Sequence, residues 1–208
     1  MKGQSIRNNL KGDKSSRKRP AAVRPVRPMP SWLPAKTDGF AAWGKAAERA
    51  RVDFFTLWSN HCRNMGDDKL GAETDAAREI WLDAISRAYP PGFWENLDDM
   101  LAGKVTNLEP YLQFLEVDAY FFGSGYAKSR ALLGLKRIEL TVPHQSRLQN
   151  VILHVIDKGW CREFRDYCRL ARVVQTSEWL FEVEQRLQLN DGDRAVRARW
   201  VLEACRRK

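Results

Sequence analysis

The sequence predicts an all-α chain, a helical bundle leading into about three antiparallel helix hairpins behind a disordered basic N-terminal arm. Three observations predict it. Apolar residues recur at three- and four-residue spacing from residue 40 onward, the pattern of helices with one buried face. Proline and glycine fall between those periodic segments, at Pro90-Pro91, Gly103, Gly123-Ser124-Gly125, Gly159 and Asn190-Asp191-Gly192. No run reads as a strand, and Lys136 to Val142 is the single ambiguous one.

Taken in order, residues 39–64 form a long helix after Asp38 as a cap, with Phe40, Trp43, Ala47, Ala50, Phe54, Leu57, Trp58 and His61 at helical spacing. Thr74 caps a helix over 75–89, which presents Ile80, Trp81, Ala84 and Ala88 on one face and stops at the two prolines. A short helix follows over 92–102. Another begins at Asn107, with Pro110 tolerated in its first turn, and runs to Phe122. Three hairpins then pair 108–122 with 126–137, 143–158 with 160–174, and 177–189 with 194–206. Thr141, Thr176 and Asp193 are their caps.

The trailing helices of these hairpins start near 126, 160 and 194, an even spacing of 34 residues. A constant period of helix hairpins is the signature of an α-solenoid. On that pattern the C-terminal half resembles HEAT-like α-helical repeats. The resemblance implies stacked hairpins that present a groove or ridge to a partner.

Charge divides the chain. Residues 1–30 carry nine Lys/Arg against one acid, residues 31–118 have a net charge of −6, and residues 119–208 a net charge of +7. The first segment, with four prolines and few apolar residues, buries too little to offset its ordering entropy. The expected division is a disordered arm over 1–37 and one helical domain over 38–208, acidic through 105 and basic from 106. Trp32 and Leu33, at the end of the arm, are anchors for docking on the chain's own domain or on a partner. Eight tryptophans call for a sizeable core. No apolar run approaches the roughly 20 residues of a membrane span, and no apolar stretch follows the N-terminal charges as in a signal peptide. Cys62, Cys161, Cys168 and Cys205 form no CxxC pair and read as reduced, buried thiols of a cytoplasmic protein.

Catalytic patterns are not found. Gly123-Ser124-Gly125-Tyr126-Ala127-Lys128-Ser129 looks like a phosphate-binding loop, but Ala127 stands where a glycine must precede the lysine. It reads as a connection between helices. His61, His144 and His154 have no i, i+4 partner and read as structural, with no metal and no cofactor expected. The acid pairs Asp67-Asp68, Glu73 with Asp75, and Glu95 with Asp98-Asp99 sit at loops and helix starts, where carboxylates complement the helix dipole.

Basic side chains are the remaining signal. Arg162, Arg165, Arg169 and Arg172 recur along one outer stripe of the helix over 160–174, opposite Trp160, Phe164, Tyr167, Cys168 and Ala171. Glu163 and Asp166 flank the stripe. Arg194 and Arg197 extend it onto the last hairpin. In the arm, Lys14, Arg17, Lys18, Arg19, Arg24 and Arg27 supply a cationic tail, and Lys14 to Pro20 resembles a nuclear-import signal in a eukaryotic host. The expected function is that of a non-enzymatic accessory protein binding nucleic acid or a nucleoprotein complex through the arm and the arginine surface. The alternative is an adaptor or assembly subunit that engages a protein through its helical-repeat surface.

Overall fold

The computed structural model describes residues 30–35, 39–104, 107–188 and 192–207. All the regular structure among them is helical: α1 (Phe40–Arg63), α2 (Asp68–Arg87), α3 (Leu97–Leu101), α4 (Glu109–Val117), α5 (Ser124–Leu135), α6 (Val142–Lys158), α7 (Phe164–Val174), α8 (Ser177–Gln185) and α9 (Gly192–Arg206). No helix among the described residues is long and apolar enough to cross a membrane. The compact unit begins at Trp32, earlier than the expected boundary at 38. Trp32 and Leu33 pack against its core, and the Arg49 guanidinium lies 4.5 Å from the Trp32 ring. The arm cations Lys14, Arg17, Lys18, Arg19, Arg24 and Arg27 lie outside the described residues, as does the Asp38 cap.

Helices α1 and α2 pack on each other along their length. At 24 residues α1 is about 36 Å long. Only its first half is buried against the rest, through Trp43, Ala46, Ala47 and Ala50. Gly44 lets the Phe121 ring approach the α1 backbone, since a Cβ there would stand 3.2 Å from Phe121 Cδ1. Glu48 Oε2 accepts a hydrogen bond from the Phe122 amide at 3.2 Å, fixing the same contact. Beyond it Val52, Phe55 and Trp58 stay exposed.

The C-terminal part is layered. Helices α3, α5, α7 and α9 pack in succession, and α4 packs on α6 behind them. α6 also packs on α7, and α8 on α9. The core between the layers includes Tyr111, Phe114, Leu132, Leu148, Tyr167 and Val183. Arg147 of α6 bridges Glu109 and Glu116 of α4 with bonds of 2.6 to 3.0 Å. Those bonds, with one from Gln113, hold the Glu109 carboxyl down to about 2. Glu109 is 45% exposed, so screening limits the gain to about 1 kcal/mol. A carboxyl with a lowered folded-state pKa stabilises above its unfolded value and loses that contribution as pH falls. Arg147→Ala is therefore expected to cost about 1 kcal/mol at pH 7 and much less near pH 2, read by urea unfolding at both values.

Several boundaries differ from expectation. α2 starts at Asp68 because Asp67 caps it, accepting from the Leu70 amide at 3.0 Å. Thr74 lies inside that helix, its hydroxyl donating to the Leu70 carbonyl at 2.8 Å. α3 is confined to five residues, and α4 ends at Val117 because Asp118 takes a left-handed conformation at φ 49°. Thr176 caps α8, accepting from the Trp179 amide at 3.3 Å, whereas Thr141 makes no side-chain cap bond. The trailing helices start at 124, 164 and 192, spacings of 40 and 28 residues in place of an even 34.

Candidate nucleic-acid interface

The break between α4 and α5 positions the site. Asp118 turns the chain through the left-handed region and Gly123, at φ 88°, starts α5. The second border is the turn from α6 into α7, where Gly159 at φ 145° admits a conformation that side chains disfavour. Segments 118–128 and 155–163 thereby enclose a cavity of about 560 Å³.

Its floor is a charge-balanced cluster. The Lys128 ammonium donates to Asp118 and lies 3.7 Å from Glu163 Oε1, while Lys158 donates to the other Asp118 oxygen. The side chains of Lys128, Glu163 and Asp118 are 3%, 6% and 12% exposed. Burial alone would raise the Asp118 carboxyl, but the two lysine hydrogen bonds outweigh it and hold it below its ordinary value. Gly125 makes room for Glu163, whose Oε2 would stand 2.9 Å from a Cβ there. Burial, with Glu163 and Asp118 nearby, pushes the Cys161 thiol up to about 12, so it carries no thiolate at neutral pH. Burial also raises the Tyr167 phenol, whose hydroxyl has no hydrogen-bond partner within the described residues.

The mouth is aromatic and cationic. Tyr120, Phe122, Tyr126 and Trp160 line it at 81%, 59%, 64% and 48% exposure. The Arg162 guanidinium stacks 3.2 Å from the Tyr126 ring centroid. Trp160 lies 5.0 Å from Trp200, and Arg165 lies 5.9 Å from the same Trp200 ring. Of the eight tryptophans, Trp58, Trp94, Trp160 and Trp200 remain exposed, so a core does not account for them.

The predicted arginine stripe divides. Arg165, Arg169 and Arg172 are exposed on α7, and Arg162 is exposed in the turn before it. Arg169 is partly neutralised by Asp166 at 2.8 Å. Glu163 does not flank the stripe; it turns inward to Lys128. Trp160 precedes α7 and sits at the surface rather than on the helix's inner face. Arg194 is drawn to Asp157 at 3.5 Å. Arg197 departs furthest from the expected ridge. It is buried, and its Nε donates to the Ile156 carbonyl at 2.7 Å, satisfying an acceptor in the last turn of α6. Sequence reasoning passed over Asp118, Lys128, Lys158 and Glu163 as a group, because no local spacing links them. The one local signal was the pair of glycine breaks at 123–125 and 159.

Other expectations also shift. Lys128, in the place of a phosphate-loop lysine, is engaged with Asp118. Cys168 alone of the four free cysteines is buried, and Cys62 is exposed. His154 is exposed, and the Nδ1 atoms of His61 and His144 are buried without a hydrogen-bond partner within the described residues. No group of three or more His, Cys, Asp or Glu residues among those described is placed to hold a metal ion. Compared with protein-family models, with curated proteins and with solved structures, the chain matches none.

Proposed function

We propose that this protein is a non-enzymatic accessory factor that binds nucleic acid, alone or within a nucleoprotein complex. The basic arm supplies electrostatic grip, and the α7 face with its neighbouring aromatic rings supplies the structured contact. One observation carries the reading: exposed Tyr126 and Trp200 lie against Arg162 and Arg165, with exposed Trp160 beside Trp200. Cations matched to phosphates, interleaved with rings that stack on bases, are what single-stranded nucleic acid requires. A purely solvated helix face has no use for the rings.

Charge reversal on that face tests the reading. The variant Arg162→Glu/Arg165→Glu is expected to bind labelled single-stranded DNA or RNA on the order of tenfold more weakly, with a shallower salt dependence. Both side chains are exposed, so its unfolding free energy should stay within about 0.5 kcal/mol of wild type. Unchanged affinity by fluorescence anisotropy contradicts the proposed face.

An adaptor role is the second reading, and Val52, Phe55 and Trp58 favour it. They lie exposed on one side of the far half of α1. Contiguous exposed apolar side chains are a mark of protein contact surfaces. That role predicts a partner whose capture survives the α7 charge reversal and fails with Phe55→Glu/Trp58→Glu.

A further inference from the structure

We propose that the cavity between the α4–α5 and α6–α7 connections receives a single unpaired nucleobase of the bound strand. This rests on the nucleic-acid reading above and assigns the site within it. The volume of about 560 Å³ falls in the range of small-molecule sites. The walls suit a flat ring, since the exposed residues Tyr120, Phe122, Tyr126 and Trp160 line the cavity. Arg162 covers one face of Tyr126, and the remaining exposed aromatic surface is available for stacking.

The floor decides the class of ligand. Lys128 and Lys158 balance Asp118 and Glu163, so no net charge there calls for an ion. A charge-balanced floor of ammonium donors and carboxylate acceptors matches a neutral heterocycle that presents both donors and acceptors on its edge. The cation beyond that balance is at the mouth, where Arg162 lies on Tyr126. That places positive charge where the phosphates flanking an inserted base would pass. Gly123 and Gly159 border the cavity at positive φ, and a Cβ at either would meet no atom within 4 Å.

The test is a cycle between base and ring. Affinity is measured by anisotropy for an oligothymidylate and for a fully abasic strand of equal length and charge. Wild type is compared with Tyr126→Ala and with Tyr126→Ala/Trp160→Ala, after thermal melts verify folding. Tyr126 is largely exposed, so the single variant keeps the test available if loss of Trp160 disturbs Phe164 and Trp200. Wild type is expected to bind the abasic strand on the order of tenfold more weakly, and the double variant to bind both strands alike. Equal wild-type affinity for the two strands overturns the base cavity and the stacking role of the rings, while backbone binding by the arm and the arginines stands. Discrimination that survives in both variants also overturns it, because the base is then read elsewhere. Failure of wild type to bind either strand removes the cavity proposal together with the reading beneath it. Free thymidine monophosphate that competes at micromolar concentration would place a mononucleotide in the cavity and overturn the assignment to a strand.

Discussion

Lys128→Ala is expected to destabilise the protein by about 3–5 kcal/mol, more than any surface change described above. The ammonium sits on α5 at 3% exposure, donates to Asp118 and approaches Glu163. Two charges are costly to take out of water, and their mutual attraction only offsets that cost when both remain. Removing the lysine leaves Glu163 buried with no counter-ion within 4.0 Å among the described residues, and leaves Asp118 with Lys158 alone. Lys158→Ala should cost only about 1 kcal/mol, since that side chain is 54% exposed. The pH dependence has a definite sign. In Lys128→Ala the Asp118 carboxyl loses one of the two lysine hydrogen bonds that lower its pKa against burial, so its protonation relieves part of the strain. The variant's deficit is therefore largest near pH 7 and shrinks toward about pH 4. Lys128→Met/Glu163→Gln, which restores charge balance, should recover part of the loss. A Lys128→Ala deficit of about 1 kcal/mol or less in urea unfolding would show that the cluster is solvated rather than buried.

The helical class and most breaks were legible because they depend on short-range chemistry. Pro90-Pro91 stops a helix whatever surrounds it, and Gly159 ends α6 where expected. Caps were legible only where one candidate stood alone. Thr176 caps α8, but Asp67 outcompeted Thr74 because α2 gains about two further turns and the Thr74 hydroxyl can bond inside the helix. The even repeat spacing did not carry over, since Asp118 closes α4 early and Cys161 to Glu163 form a turn before α7.

The site was legible only in part. Periodicity located the exposed Arg165, Arg169 and Arg172 of α7, because outward positions follow from the helical repeat, while Arg162 is exposed in the turn before it. It could not tell that Arg197 turns to a carbonyl or that Glu163 turns inward, because those outcomes depend on what α5 and α6 bring alongside. Lys128 and Lys158 come from α5 and α6, Asp118 and Glu163 from the caps of α4 and α7, and the cavity they floor exists only after those segments meet. Tryptophan count pointed to a core, yet half of them lie at the surface, Trp160 and Trp200 with arginines beside their rings. That placement shifts the expected mode of binding from backbone charge alone to charge combined with stacking.

The salt dependence of binding has the largest expected effect in solution. Residues 1–30 hold nine cations, and on a single strand each phosphate neutralised contributes about −0.7 to the log–log slope. Full engagement of the arm predicts a slope of about −6 and an affinity loss of about a thousandfold or more between 50 and 200 mM salt. The most direct measurement is anisotropy of labelled single-stranded DNA and RNA across that salt series, with the full chain and with residues 1–30 deleted. The expected result is a slope of about −5 or steeper for the full chain, and a deleted form that binds weakly with a shallow slope and loses the remainder with Arg162→Glu/Arg165→Glu. Absence of binding by the full chain at low salt would contradict the account, and the exposed Val52, Phe55 and Trp58 face would then be the place to seek a protein partner.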